Sequence, residues 1–315
     1  MWIQGSTLSI SQRSLAGGGP RSPTQETAQE LATRLIQNYS ATHVVDSAIE
    51  FLTENFHVAI SRMGDSLSIQ LPSPYLASPP LPPTYGVKGG AAREVLIGAL
   101  GLRPSQDPRD IDLVRRGQHR SATDDEIARV HMPRDFELGA RVELIRDMKG
   151  HLSSRDLTIN EVAVLDNVAH TSLICLLDTV GLVIRPSKYR SGSLHRKATL
   201  FGQSLLKMIR LYAEGVSRGE NWSIVGIPEE VSFSEFDLAV HLNKSYQRGR
   251  EVADTFLHTC ELLSLVGVSE RRIETVLEEL EHLRYGERGL FPDVPEHEWK
   301  FLEAEPKNQD PSEYD

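Results

Sequence analysis

Cysteine is scarce in this sequence of 315 residues, which contains two, Cys175 and Cys260, far apart in apolar stretches. Their number and spacing argue against a disulfide framework and a cysteine-ligated zinc site, and indicate a reducing compartment. Long apolar runs are also lacking: no stretch approaches the roughly 20 residues of a membrane span, so we expect no integral membrane protein. Positive charge is in deficit, with 34 Lys and Arg against 44 Asp and Glu. The net charge of −10 argues against a uniformly basic nucleic-acid-binding surface, although a local basic groove stays possible.

Composition divides the chain into five segments. Residues 1–21 contain Ser, Gly and two Arg but no acidic residue. We expect a disordered tail on a cytoplasmic protein or, alternatively, a transit peptide that directs the protein to an organelle. Residues 22–83 predict helices, a hairpin and a proline-rich linker. Residues 84–190 alternate short strands with helices, residues 191–292 have a helical pattern, and residues 293–315 form an acidic tail. The predicted fold class is therefore α+β, with a small mixed-sheet domain followed by an all-α domain.

Local signals support this division. Ser22, Pro23 and Gln25 have the spacing of a helix N-cap, a first-turn proline and a capping box. Residues 57–62 and 66–71 alternate apolar and polar side chains and predict a hairpin. Ser269 begins a final apolar pattern of helical period that ends at Tyr285.

Two glycines stand where an apolar strand meets a helix, in the segment Tyr85-Gly-Val-Lys-Gly-Gly-Ala-Ala-Arg-Glu-Val-Leu-Ile-Gly98. Gly89 and Gly90 allow a close backbone approach, and free N–H groups at a helix N-terminus attract phosphate. The same pattern is also typical of a tight turn without a ligand.

Acidic side chains follow on two strands. Asp110 and Asp112 are two residues apart, so on a strand both carboxylates lie on one face. Because such charges repel each other, they favour a bound cation, for which Mg²⁺ is the natural choice; the alternative is a solvated strand end. Glu143, in the alternating stretch 141–145, is either a third carboxylate beside the metal or an exposed edge residue. Arg155 and Asp156 favour either a phosphate and ribose clamp or a surface ion pair.

Together these stretches resemble the catalytic head of the CCA-adding tRNA nucleotidyltransferase and bacterial poly(A) polymerase family. Residues 89–98 and the Asp110-Ile-Asp112 triplet follow the family's first motif, GGAVRDLLLG…DID, and residues 154–161 match its second, RRDFTINA. Val142-Glu143 looks like the strand that often precedes the second motif. Residues 181–186 resemble the family's GVIRP, and residues 205–213 resemble its LLRAVRFAA helix. The order of these matches is right across about residues 84–214.

The resemblance implies a nucleotidyltransferase head domain and template-independent transfer. An NTP would bind as its Mg²⁺ complex. The acceptor that the resemblance implies is RNA, a tRNA or another RNA 3′ end, whose 3′-hydroxyl would attack the α-phosphate and release pyrophosphate. Asp110 and Asp112 would hold the metals as catalytic carboxylates, with Glu143 as a third candidate. The nucleotide-binding residues implied are Gly89, Gly90, Arg93, Arg155, Asp156, Asn160, Lys207 and Arg210.

The departures from the family leave other functions open. The family's Asp after Arg93 is Glu94 here, and its first Arg of the second motif is Ser154. Its base-reading acid and Arg correspond to Leu200, Phe201 and Ser204, so neither the base nor the number of nucleotides added follows from the sequence. One alternative is a related nucleotidyltransferase that modifies a protein or small molecule, and another is a degenerate nucleotide-binding protein. The sequence does not indicate the oligomeric state.

Overall fold

The computed structural model describes residues 13–15, 19–38, 41–63, 66–71, 80–106, 111–131, 142–187, 194–227, 231, 233, 235–263 and 265. The chain divides into two compact units, Gly19–Tyr189 and a second one formed by Met1–Gly18 together with Arg190–Asp315. A mixed sheet and several helices confirm the predicted α+β class. The proline-rich stretch 72–79, the last predicted helix from Ser269 and the acidic tail 293–315 lie outside the described residues.

The strands are short. They are β1 (Arg13–Leu15), β2 (Ile60–Met63), β3 (Ser66–Gln70), β4 (Tyr85–Lys88), β5 (Asp112–Arg116), β6 (Glu143–Ile145), β7 (Val162–Leu165), β8 (Val168–Thr171), β9 (Val183–Ile184) and β10 (Ser223–Ile227). The α-helices are α1 (Pro23–Gln37), α2 (Thr42–Phe56), α3 (Gly89–Ala99), α4 (Thr123–His131), α5 (Met148–Ser153), α6 (Leu173–Val180), α7 (Leu194–Ser217), α8 (Glu235–Tyr246) and α9 (Arg250–Leu262). A single 3₁₀ turn among the described residues spans Thr158–Asn160.

Seven strands of the first unit form one sheet in the order β2-β3-β8-β7-β4-β5-β6. Every neighbouring pair is antiparallel except β5 and β6, which are parallel. The predicted hairpin is confirmed, with Ile60 opposite Ile69. The boundary predicted between residues 83 and 84 stays a prediction; β3 pairs with β8 and thereby extends the sheet that contains β4 and β5.

The sheet buries one face under helices. Directly paired residues of neighbouring strands share a face, so Val87, Leu113 and Val164 lie together. They belong to a core that also contains apolar residues of α1, α2, α3 and α6. The opposite face has a smaller buried patch of Val114, Ile145, Ala163 and Leu165, against which Met148 of α5 packs. The second face thus has the smaller apolar cover, which leaves room for polar side chains to form a site at its end.

The first helix begins as its sequence predicts. Ser22 Oγ accepts a hydrogen bond from the Gln25 backbone N–H, and the Gln25 side chain accepts one from the Ser22 N–H, which confirms the capping box. Helix α1 packs against α6, and Gln29 Nε2 donates to the Gly181 carbonyl (2.7 Å). These contacts fix residues 181–186, the stretch resembling GVIRP, on the covered side of the unit.

The second unit is mainly helical, with α7, α8 and α9 packed against one another. It is not purely α, since β10 pairs antiparallel with β1. Residues 1–21, predicted to be a disordered tail or a transit peptide, include the strand Arg13–Leu15, whose backbone groups bond to those of β10. Among the helices described in either unit, none has both the length and the apolar character to cross a bilayer.

Candidate active site

The start of α3 lies against the first residue of β5. Lys88, the last residue of β4, is the N-cap of α3 and has no side-chain cap bond. In the β4–β5 ladder Lys88 stands opposite Asp112, so both side chains share the less covered face. Gly89 has a φ of +61°, and a Cβ built there would lie 2.9 Å from Asp112 Oδ2. The glycine therefore provides both the left-handed turn and the space for the Asp112 carboxylate.

Glu143 is surrounded by cationic or hydrogen-bond-donating side chains. It is the first residue of β6 and is paired with Val114, which places it on the same face as Asp112. Its Oε1 accepts from Arg155 Nη2 (2.9 Å) and contacts His151 Nδ1 (2.8 Å). Its Oε2 accepts from Lys88 Nζ and, at 3.4 Å, from Arg155 Nη1. This arrangement differs from the predicted role of a carboxylate that faces a metal.

The charges of this cluster follow from its contacts. Burial pushes the pKa of Glu143 upwards, but the hydrogen bond from His151 and the charges of Lys88 and Arg155 outweigh it and hold that pKa well below its ordinary value. Burial lowers the pKa of His151; the Glu143 contact opposes this shift, and Arg155 adds to it. The His151 ring is therefore neutral, with its proton on Nδ1 because a carboxylate only accepts hydrogen bonds.

A second group of contacts joins α3 to the second motif. Arg93 Nη1 donates to Asn160 Oδ1 (2.8 Å). Asn160 Nδ2 donates to Asp156 Oδ1 (2.9 Å), which also accepts from the Leu157 N–H (2.9 Å). Asn160 is buried, so its amide fixes Arg93 and Asp156 relative to each other. Three predicted nucleotide-binding residues thus form one hydrogen-bonded chain.

The second motif is held in place by the stretch that resembles GVIRP. Asp178 of α6 is fully buried and accepts from Arg185 Nε (3.0 Å) and Nη2 (3.1 Å) and from Thr158 Oγ1 (2.6 Å). The Thr158 N–H donates to the Arg185 carbonyl (2.9 Å). A buried ion pair with a hydroxyl partner therefore couples the Thr of one motif to the Arg of the other.

These contacts form a closed ring around the start of α3. Side-chain contacts join Lys88 to Glu143 and Glu143 to Arg155, and the next residue, Asp156, is joined through Asn160 to Arg93. The chain itself closes the ring, because Lys88 and Arg93 are both part of the β4–α3 segment. Gly89, Gly90 and Asp112 lie within the same region because Gly89 contacts Asp112 and Gly90 is 4.0 Å, measured from a built Cβ, from Arg93 Nη2. The structure thus brings together the predicted residues of the first unit that it describes.

Glu94, at the position where the family has Asp, holds the segment after α3 in place. Its carboxylate accepts two hydrogen bonds from Arg103 (2.7 and 3.0 Å) and one from the Gln106 N–H (3.2 Å). Burial raises the pKa of Glu94, but the Arg103 bond and the Arg93 charge bring it below the ordinary value. Glu94 therefore fixes the segment that follows α3 as far as Gln106.

Three predicted site residues are not placed in this region by the structure. Asp110 lies outside the described residues. Lys207 and Arg210 are on α7 in the second unit, where Arg210 forms an ion pair with Glu214. Leu200, Phe201 and Ser204 also lie on α7, and Ser204 is buried.

Two residues that contact Glu143 were missed by the sequence analysis, Lys88 and His151. Lys88 has the pattern of an ordinary strand-end residue, although a charge directly before Gly89 was a visible signal. His151 stands in Met148–Ser153, a six-residue helix without a motif. Its role depends on a contact with Glu143 that no local pattern encodes.

The fit of Mg²⁺ to this region is uneven. Asp112 is exposed and makes no hydrogen bond or ion pair with the described residues, so its oxygens are free to bind a cation. Glu143 has donors on both oxygens. Within the described ranges no group of three or more His, Cys, Asp and Glu is arranged around a common point.

Comparisons with known proteins give a fold-level likeness. No family model matches the chain, and no curated protein matches it. A structure of a CCA-adding enzyme with ATP is 16% identical, with a TM-score of 0.30, over 69% of this chain and 60% of that one. The chain therefore spans less than two thirds of that enzyme.

Two further solved structures are similar. An apo CCA-adding enzyme is 14% identical with a TM-score of 0.36, and the Thermotoga maritima CCA-adding enzyme complexed with tRNA is 13% identical with a TM-score of 0.33. Each match covers 87% of this chain and 68% of the other. Likenesses of this size do not assign a function or a site residue, so the function depends on the site itself.

Proposed function

We propose that this chain is a nucleotidyltransferase that transfers NMP from an NTP to the 3′-hydroxyl of an RNA acceptor. The ring around α3 supports this proposal most strongly. It joins the first motif, the Glu143 strand and the second motif through side-chain contacts that sequence order alone does not require. An NTP needs such a combination: backbone N–H groups for phosphate, cations beside it, and a carboxylate at the reacting phosphorus.

Each part of the region has a chemical role in this proposal. The free N–H groups at Gly89 and Gly90 would bind phosphate oxygens, and Arg93, aligned by Asn160, would lie beside them. Asp156 accepts hydrogen bonds and would orient the ribose hydroxyls. Asp112, together with Asp110, would hold Mg²⁺, which supplies a more acidic acceptor hydroxyl and charge neutralisation on the phosphates.

Base selection in this proposal follows from the residue types at the positions where the family reads the base. Lys207 and Arg210 of α7 stay predicted nucleotide-binding residues. Leu200, Phe201 and Ser204 offer no acid or Arg to read the hydrogen-bonding edge of a base, and apolar pockets discriminate weakly between similar ligands. We therefore propose that base selection is relaxed.

The test is transfer of labelled nucleotide by the full chain. Each of the four labelled NTPs is incubated with Mg²⁺ and total RNA, and the products are separated on a denaturing gel. Wild type should label RNA, whereas Asp112→Asn should lose activity by orders of magnitude with an unchanged melting temperature. Asp46→Asn, which removes an exposed carboxylate of α2, serves as the matched control and should behave as wild type.

A second candidate function is nucleotide binding without transfer. The specific observation in its favour is the absence of acid and Arg at Leu200, Phe201 and Ser204. In that case the wild-type chain would bind NTP, but no labelled RNA, protein or small molecule would form. Labelled protein or a labelled small molecule in place of RNA would instead identify another acceptor class.

A further inference from the structure

Lys88 is the cation of the ring that stands closest to the start of α3 along the chain. It caps the helix whose first residue is Gly89, and its side chain shares a sheet face with Asp112. The Lys88 side chain is 21% exposed, so it is partly sheltered yet open on one side. A ligand that reached Asp112 and the first N–H groups of α3 would therefore meet Lys88.

Glu143 has no acceptor position left for a metal. A carboxylate offers about four lone-pair sites, and Glu143 receives donors from Lys88, His151 and both Nη atoms of Arg155. A metal at Glu143 would have to displace one of these donors. The carboxylate instead acts as the common anchor for the side chains around it.

Arg155 is largely committed to that anchor. Besides its two contacts with Glu143, its Nε donates to the His151 carbonyl (3.0 Å) and its Nη2 to Ser154 Oγ (2.9 Å). Lys88, by contrast, has three N–H donors, and among the described residues its side chain bonds to Glu143 alone. Two of the three ammonium donors of Lys88 therefore remain for a ligand, against one of the five N–H donors of Arg155.

We propose that Lys88 binds the polyphosphate of the nucleotide and that Glu143 is the residue that positions it. This inference rests on the proposed function. It reassigns two predicted roles: the phosphate-binding cation at this point is Lys88 instead of Arg155, and Glu143 aims that cation without holding a metal. A compact ammonium with free donors binds phosphate oxygens as a point charge.

A purely structural ion pair makes a different prediction. If Lys88 and Glu143 only stabilised the fold, removal of either charge would disturb the region in the same direction. If Lys88 binds phosphate, Glu143→Gln keeps a carbonyl oxygen that can still accept from Lys88 and position it, but removes the negative charge that competes with the phosphate for the ammonium. Loss of the Glu143 charge should then leave anion binding as tight or tighter, while loss of the Lys88 charge weakens it.

The experiment is calorimetric titration of the full chain with inorganic tripolyphosphate in metal-free buffer containing EDTA. Lys88→Gln should raise the Kd about tenfold, the effect of one charge-assisted hydrogen bond. Glu143→Gln should leave the Kd equal or lower. The matched control Lys149→Gln removes the same charge from an exposed position of α5 and should change the Kd by less than about twofold. Lys88→Arg keeps the charge and should bind within about threefold of wild type, which covers the case in which Lys88→Gln does not fold.

Three outcomes overturn the inference: wild type that does not bind tripolyphosphate, Lys88→Gln that binds like wild type, or Glu143→Gln that weakens binding as much as Lys88→Gln. Its failure is separable from that of the proposed function. RNA labelling by wild type together with unaffected binding by Lys88→Gln rejects the role of Lys88 alone. Weakened binding by Lys88→Gln without any transfer supports the anion site and rejects the transferase.

Discussion

Glu161, directly after the Asn160 that aligns Arg93, is a buried carboxyl whose partners among the described residues are hydroxyls. It accepts from Ser172 Oγ (2.6 Å) and Ser187 Oγ (2.5 Å) and is 6% exposed. Burial raises the pKa of Glu161 to about 7; the two hydroxyls oppose this shift and the charge of Asp178 adds to it. Ionised Glu161 is therefore unfavourable in the folded protein, and Glu161→Gln removes that cost.

The size and the pH window follow from the two pKa values. A carboxyl whose pKa is raised on folding contributes stability below its unfolded value of 4.5, and loses it as the pH rises through about 7. At about 1.4 kcal/mol per pH unit, the gap between these values corresponds to about 3 kcal/mol of unfolding free energy. The amide introduced by Glu161→Gln stays neutral, so the variant should be more stable than wild type by up to this amount above pH 7.

Urea unfolding at about pH 5 and about pH 8.5 tests the sign directly. Far-UV circular dichroism is the suitable signal, since the three tryptophans, at positions 2, 222 and 299, all belong to the sequence ranges of the second unit. The advantage of Glu161→Gln should grow by about 2 kcal/mol between the two pH values. Glu94→Gln is the matched control: Arg103 holds the pKa of Glu94 below its ordinary value, so this variant should lose stability at the higher pH. An advantage of Glu161→Gln that shrinks with rising pH would refute the reasoning.

Three further predictions concern the proposed transfer reaction. Gly89→Ala and Gly101→Ala both place a Cβ at positive φ (+61° and +64°), and each should lower the unfolding free energy by about 1–2 kcal/mol. Gly89→Ala should also reduce transfer, because its Cβ displaces the Asp112 carboxylate. Equal activity of the two variants in the gel assay would contradict this reasoning. In electron paramagnetic resonance titrations with Mn²⁺, Asp112→Asn should weaken Mn²⁺ binding about tenfold and Glu143→Gln less than about twofold. A larger loss of Mn²⁺ affinity in Glu143→Gln would show that Glu143 is a metal ligand. Parallel reactions with ATP, CTP, GTP and UTP should give comparable incorporation, and strict C-C-A addition would show that other residues read the base.

Local patterns predicted much of the framework. The capping box at Ser22, the hairpin and the helix at the glycine pair are all short-range features, and the structure contains each of them, with the helix beginning at Gly89. The place of the hairpin could not be predicted in the same way. Its pairing partner β8 is about a hundred residues further on, and which edge a hairpin joins depends on that long-range pairing.

The same limit explains why β1 was missed. Arg13–Leu15 is a three-residue strand without alternation, next to a glycine run, and composition there favours disorder. Its backbone groups are satisfied by β10, which lies in a part of the chain that the sequence indicated to be helical. A short strand is therefore specified by the edge that receives it rather than by its own residues.

The candidate site shows where residue type stops being informative. Spacing placed Asp110 and Asp112 on one face of a strand and left Glu143 as either a third carboxylate beside the metal or an exposed edge residue. The pairing of β5 with β6 puts Glu143 on the face of Asp112, since Glu143 is opposite Val114, two residues after Asp112. Spacing could not tell which carboxylate is paired with cations, because two partners of Glu143 are distant in sequence: Lys88 is 55 residues before it and Arg155 is 12 residues after it. The two carboxylates are chemically alike, yet one has donors on both oxygens and the other has none among the described residues. That difference in environment, which only the fold creates, is why we propose that Asp112 binds the cation and that Glu143 positions Lys88.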